Sequence, residues 1–464
     1  MRSCQIIGMP ARPLRALVAT LLLLLHPSLG RAQSVLPGVD DWSAAIVELT
    51  APRWVGPRVP HPTEEERPVG LPLVVESIYE GIAVHAAPGE ETLAREILAS
   101  LERSAEILRA AGWPAPPADG GGGGTAGFDL YLVPGARAES HAEGRIVWSF
   151  LDATTPFATL DPALVAGRLD ACVTQAYADA ILLGMDPAEA RSWRAATAAW
   201  LAWMVTGIAG CEDPHEEQQR APWRGWFPSE QETLDQRPLG GGALLLAALS
   251  ARHDRGTGIF VRELWQMSRQ RTWEGLDLRA APDLWMALET SFELVELEMS
   301  EFLAELAVSR YFTGARATGG GLLRDLAPET RVPIRLAIPW SALPAQSVPA
   351  DPPLEPFGSG YVRVDVRDAP PGSLLRVWLR AEYGVEWSLQ AVRLDGRRRE
   401  LGRMRAPPRR NVPRSYLPVE LEPGTETVLL VITNLSSRLP DADGIDENER
   451  SFRVILDRGA AGGG

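Results

Sequence analysis

Histidine and cysteine are few in this 464-residue sequence, six and three, so their spacing matters more than their number. His215-Glu216-Glu217-Gln218-Gln219 comes near the H-E-x-x-H spacing that puts two imidazoles on one helix face, but glutamine stands in the last place. Cys211, Glu212 and Asp213 adjoin it. The stretch follows Pro214, is almost wholly polar and lacks apolar flanks, so it reads as a solvated acidic loop. Asp441, Asp443, Asp446 and Glu449 make a second acidic turn whose hard oxygens suit calcium. Its glycine stands fourth and not sixth as in an EF-hand loop, which favours a plain hairpin loop. Asp179, Glu189 and the His215 stretch are the groups an acid–base hydrolase with non-standard residues would recruit. Trp223 and Trp226, in the polar run PWRGWFP, are candidates for an exposed aromatic contact. The nucleophile-elbow, phosphate-loop and C-x-x-C patterns are missing.

The elements that must position such groups centre on residues 172–207. Two helices apolar on nearly every face read as core, joined by GMDPAEA, with Asp186-Pro187 expected as N-cap and first residue of the second helix. The second helix is expected to end at Gly207.

This pair resembles the active-site helices of zinc metallopeptidases of the zincin class, in their gluzincin-like branch. The pattern W-x-E-A-T-A-x-W is met at Trp193, Ala196, Thr197, Ala198 and Trp200. The preceding H-E-x-x-H falls on Thr174-Gln175-Ala176-Tyr177-Ala178. Every chemical residue differs. The histidine positions are Thr174 and Ala178, the general-base position is Gln175, and the glutamate-ligand position is Ala195. Alanine has no lone pair, a threonine hydroxyl is a poor zinc ligand, and glutamine cannot take a proton from water. The resemblance therefore implies a zincin-like α/β and helical domain over residues 71–316 that keeps a groove for a peptide or protein partner. It implies no catalysis, no zinc and no cofactor. The emptied metal site is expected to be refilled by Tyr177, Trp193, Trp200 or Trp203, with Gln175 hydrogen-bonded if buried. An active peptidase or hydrolase using other residues, and a structural envelope protein, are the competing readings.

Composition bounds the rest. The formal net charge of −14 argues against nucleic acid or an anionic membrane as partner. All 46 basic residues are arginine. Arg2, Arg12 and Arg15 followed by an apolar run over Leu17–Leu25 read as a signal peptide over residues 1–32, cleaved after Ala32. The mature protein is then secreted or periplasmic, with no membrane association. Cys4 leaves with the signal. Cys172 and Cys211 remain as an even pair bracketing the two central helices, so a disulfide is expected.

The overall fold class expected is α+β. A Pro-rich extended segment occupies residues 33–70, followed by strands near residues 71–86 and an amphipathic helix over residues 90–111. Gly120 to Gly124 reads as a flexible loop. After a linker at 317–330, short alternating runs over residues 331–459 read as an all-β sandwich domain. Residues 460–464 read as a disordered tail.

Overall fold

Leu93, Ile97, Leu98, Leu101 and Leu108 recur at helical spacing, and they make α1 (Glu91–Ala110) lay one face on a sheet. The computed structural model of the chain describes residues 58–59, 65–145 without 79 and 126, 153–164, 167–208, 210–211, 214–226, 239–269, 278–279, 283–295, 298–313, 331–407 without 384, 414–436 and 450–460. The expected signal peptide, the linker, the acidic turn at Asp441, Asp443, Asp446 and Glu449, and nearly all of the Pro-rich segment lie outside the described residues. The observed class is α+β.

The sheet beneath α1 has five strands in the order β2-β3-β4-β6-β5. They are β2 (Leu73–Glu76), β3 (Ile82–Ala86), β4 (Phe128–Leu132), β5 (Glu139–Arg145) and β6 (Thr154–Leu160). The β3-β4 and β4-β6 pairs are parallel, while both edge strands run antiparallel. A short antiparallel pair, β1 (Arg58–Val59) with β7 (Leu278–Arg279), stands apart from it.

Two central helices follow: α2 (Leu169–Met185) and α3 (Arg191–Thr206). α2 is buried on nearly every side, as its apolar composition requires. α3 closes at Gly207, whose φ of 75° lies in the left-handed region that glycine adopts without strain. The start of α3 differs from expectation. Asp186 caps the end of α2 and its carboxylate accepts the Ala188 N–H at 3.2 Å, so Asp186-Pro187 begins a turn and α3 starts four residues later. A disulfide joins Cys172 to Cys211, tying the start of α2 to the segment after α3.

The helices α4 (Pro214–Arg220), α5 (Ala243–His253), α6 (Ile259–Ser268), α7 (Leu284–Leu294) and α8 (Met299–Ser309) complete the helical part. The C-terminal strands form two sheets that share one core. The first is β13-β12-β15-β10-β8: β8 (Leu336–Pro339), β10 (Ser359–Asp365), β12 (Trp387–Leu394), β13 (Glu400–Arg405) and β15 (Thr427–Asn434). The second is β14-β11-β16-β9: β9 (Ala345–Gln346), β11 (Ser373–Ala381), β14 (Arg414–Glu420) and β16 (Phe452–Ala460). Val364, Leu389 and Ile432 of the first meet Val377, Val419 and Leu456 of the second. α8 lies on the outer face of the five-stranded sheet, where Val308, Tyr311 and Phe312 pack with Val392 and Val431. The Tyr361 hydroxyl donates to the Ala307 carbonyl at 2.6 Å across that contact.

Candidate functional site

A pocket of about 60 Å³ opens between the edge strand β5, α2 and α3, room for several waters or one small side chain. It is lined by Arg137, Ala138 and Glu139 at the start of β5, Gln175 and Asp179 of α2, and Arg191, Ala195 and Ala198 of α3. Cys211 and Gly240 close it.

Of the four aligned ligand and base positions, the structure brings Gln175 and Ala195 to this pocket. Thr174 and Ala178 do not line it. The Thr174 hydroxyl lies 2.8 Å from Ser104 Oγ of α1 and bonds back to the Asp170 carbonyl at 2.6 Å, and Ala178 is fully buried in the core. One residue along a helix turns a side chain by about 100°. The i, i+4 pair on the pocket face is therefore Gln175 with Asp179, offset by one from the pair the motif spacing suggested.

Both members of that pair are committed. Gln175 Oε1 accepts the Cys211 backbone N–H at 2.8 Å. Asp179 Oδ2 accepts the Ser140 backbone N–H at 2.8 Å and the Ser140 hydroxyl at 2.6 Å, while Oδ1 stands 3.6 Å from Arg194 Nε. Arg191 is ion-paired with Glu139 across the mouth. The expected aromatic filling is not what occurs here. Tyr177 turns to Phe128 in an edge-on contact at 5.3 Å, Trp193 and Trp200 are buried elsewhere in the core, and the gap beside the alanines stays open.

The other sequence candidates lie elsewhere. Glu189 is buried, and its carboxylate accepts the backbone N–H groups of Leu284 at 2.8 Å and Ala190 at 2.9 Å. Burial, then the nearby Asp186 and Asp283 carboxyls, push Glu189 well above the usual carboxylate range, against those two N–H donors. It acts as an anchor for the start of α7. The His215 stretch is helix α4, buried along one side and not a solvated loop: His215 is 2% exposed and Gln219 0%, while Glu217 and Arg220 are exposed. Its two buried glutamines bond inside the protein, Gln218 Nε2 donating to the Gly225 carbonyl at 2.9 Å. Arg310, itself fully buried, donates Nε to Gln219 Oε1 at 2.8 Å and bonds the Gln218 carbonyl, and Gln219 Nε2 donates to the Arg310 carbonyl at 3.1 Å.

Trp226 is 3% exposed with the Arg310 guanidinium 4.7 Å from its ring, and half-buried Trp223 carries Arg335 at 5.6 Å. The Trp223 carbonyl accepts the Glu355 N–H at 3.0 Å. These tryptophans fasten the helical part to the β strands rather than stand free, because an indole's area is best used where two layers meet.

A polar cluster that sequence reading missed surrounds Arg67. Its guanidinium contacts Asp119, Asp129 and Glu143, and Nη1 donates to the Tyr131 hydroxyl at 3.0 Å. Asp129 is fully buried and also meets His85 Nε2 at 2.9 Å and Thr125 Oγ1 at 3.0 Å. Burial alone would raise the Asp129 carboxyl, but the hydrogen bonds from His85, Arg67 and Thr125 outweigh it and hold it below the usual range. Within the glycine run, Gly123 is fitted closely over this cluster, whereas Gly120 and Gly124 have open space around them. A Cβ on Gly123 would stand 1.9 Å from Arg67 Nη1 and 2.1 Å from Asp129 Oδ2. The legible signal was the run itself, since close backbone approach is one of glycine's uses.

Among the described residues, no three His, Cys, Asp or Glu side chains are grouped as a metal would need. No helix among them is long and apolar enough to cross a membrane. The disulfide is compatible with an extracellular or periplasmic location.

No family model matches the chain, and no curated protein does. Among solved structures it is similar to the enzymatically active domain of bacteriophage CBA120 tailspike protein 4, at 12% identity and a TM-score of 0.17. That likeness covers 25% of this chain and 17% of the tailspike chain, and at this score it carries no argument.

Proposed function

We propose that the protein is an exported, non-catalytic relative of gluzincin-type zinc metallopeptidases, a pseudopeptidase that binds a peptide or protein partner in the groove beside β5. On this reading the five-stranded sheet with α2 and α3 is the peptidase-like scaffold, and the two C-terminal sheets form an appended β-sandwich. The supporting observation is the pocket's position and chemistry together. It lies between an antiparallel edge strand and two buried helices, and its i, i+4 pair is an amide and a carboxylate already engaged by Cys211 and Ser140. Such a site recognises; it has no spare base to activate water. An extended segment can add to a sheet edge through its backbone, with one side chain entering a pocket. Glu65 already bonds Ala142 of β5 at 2.8 Å, so the partner engages the Arg137–Glu139 end. Room for one small side chain beside Arg191, Glu139 and Asp179 favours a small polar residue there.

The test uses the purified mature chain. Peptides selected from a displayed library should bind without being cleaved, and Arg191→Ala should weaken them. Metal analysis should find no stoichiometric zinc. Chelator-sensitive cleavage of any library peptide would overturn the reading.

A further inference from the structure

The two C-terminal sheets are unequally covered. α8 packs on the outer face of the five-stranded sheet. Among the described residues, the outer face of the four-stranded sheet carries no comparable helix, and its side chains are exposed or half-buried.

That face reads as cross-strand rows. Register places Arg380 of β11 directly opposite Arg414 of β14 on one side and Arg453 of β16 on the other. All three are exposed, while Leu375, Val377 and Leu379 alternate with them into the core. The next row is Tyr416, Trp378 and Ile455.

Side chains directly opposed on one sheet face are about 5 Å apart at Cβ, and like charges so placed destabilise the pairing. Three guanidiniums in one row are thus unfavourable in the free protein. Among the described residues none of the three forms an ion pair or side-chain hydrogen bond, although on β13 Arg403 pairs with Glu400, and Arg399 pairs with Asp395 in the turn before it. Carboxylates are not in short supply in a chain of net charge −14. Beside this row the Trp378 and Tyr416 rings lie 5.3 Å apart with their planes inclined at 34°, and Tyr416 is 44% exposed. A guanidinium fork takes carboxylate, sulfate or phosphate oxygens in pairs. An adjacent aromatic face takes the C–H face of a sugar ring.

We propose that the outer face of β14, β11 and β16 binds an acidic glycan, with anionic groups on the Arg414-Arg380-Arg453 row and a neighbouring sugar ring on Trp378 and Tyr416. An open sheet face suits a polymer lying across it better than a small ligand needing enclosure. A nucleic acid, whose affinity comes mainly from many phosphate contacts, fits a single row of three arginines beside an aromatic pair less well.

The mature chain is run through native gels holding polygalacturonate, dextran sulfate or neutral dextran. Retardation is expected with at least one charged polymer and not with neutral dextran. The double variant Arg380→Gln with Arg453→Gln and the variant Tyr416→Ala, both at exposed positions, should each bind about tenfold more weakly. The arginine double variant should also melt no lower than the parent, since it removes like-charge contact. No retardation by either charged polymer overturns the proposal, as does undiminished binding in either variant. Equal or tighter arginine-dependent binding to single-stranded DNA or to phosphatidylglycerol vesicles overturns it in favour of those partners.

Discussion

The side-chain carbonyl of Gln175 accepts the backbone N–H of Cys211 at 2.8 Å, and Cys211 is also disulfide-bonded to Cys172, one turn earlier on the same helix. One turn of α2 thereby holds the segment after α3 by a covalent and a polar tie, which sets the back wall of the pocket. Gly210 permits it, since a Cβ there would stand 2.5 Å from Gln175 Oε1.

The disulfide should dominate that pair of ties. It closes a loop with a sequence separation of 39, which on the loop-entropy argument stabilises by about 3–4 kcal/mol. Cys172→Ala with Cys211→Ala should lower the urea midpoint accordingly. Intact mass of the denatured, unreduced protein, made without residues 1–32, should not change on alkylation.

The pocket-facing register can be tested by grafting a zinc site. Gln175→His, Asp179→His and Ala195→Glu place three ligands at pocket-lining positions. This triple variant should bind zinc at least about tenfold more tightly than the parent, by competition with a chromophoric chelator. Thr174→His, Ala178→His and Ala195→Glu should show no such gain, because Thr174 faces Ser104 of α1. The reverse result would restore the register that the motif spacing suggested.

Arg67 and Gly123 should behave as parts of one packed unit. Arg67→Ala leaves the fully buried Asp129 without its guanidinium and should destabilise by about 3–5 kcal/mol. Gly123→Ala forces a methyl onto Arg67 and Asp129 and should cost about 1–3 kcal/mol. A slack loop glycine would change stability by less than about 0.5 kcal/mol in the same denaturant titration.

Glu189 should make the protein less stable as pH rises. Its folded pKa is raised, chiefly by burial, so the folded state holds its proton more tightly than the unfolded chain does. The stability this proton supports is complete below the unfolded value, about 4.3, and is lost as pH climbs toward the folded one. Glu189→Gln has no proton to lose and keeps an amide oxygen for one backbone N–H. It should raise the melting temperature near neutral pH by about 2–4 °C, with the gain vanishing below pH about 4. Asp283, also raised by burial, leaves some pH dependence behind.

Much of the architecture is set by local pattern. The apolar spacing along α1 dictates a helix with one buried face, and it is one. Alternation over the C-terminal residues dictates strands, because one face of each must leave water. Gly207 ends α3 for a reason internal to the residue, and Cys172 and Cys211, bracketing the two central helices, pair as their placement implies.

Tertiary structure alone decided what faces what. α2 is apolar on nearly all sides, so no periodicity distinguishes the side that meets the pocket; packing against Ser104 and Phe128 selects Gln175 and Asp179 for it. The string at His215 and the glycine run look solvated in isolation, and Arg310 and Arg67, distant in sequence, draw Gln219 and Gly123 of them inward. Arg380, Arg414 and Arg453 lie on separate strands and become one row only through register, which depends on how whole strands pair and not on any single stretch of chain.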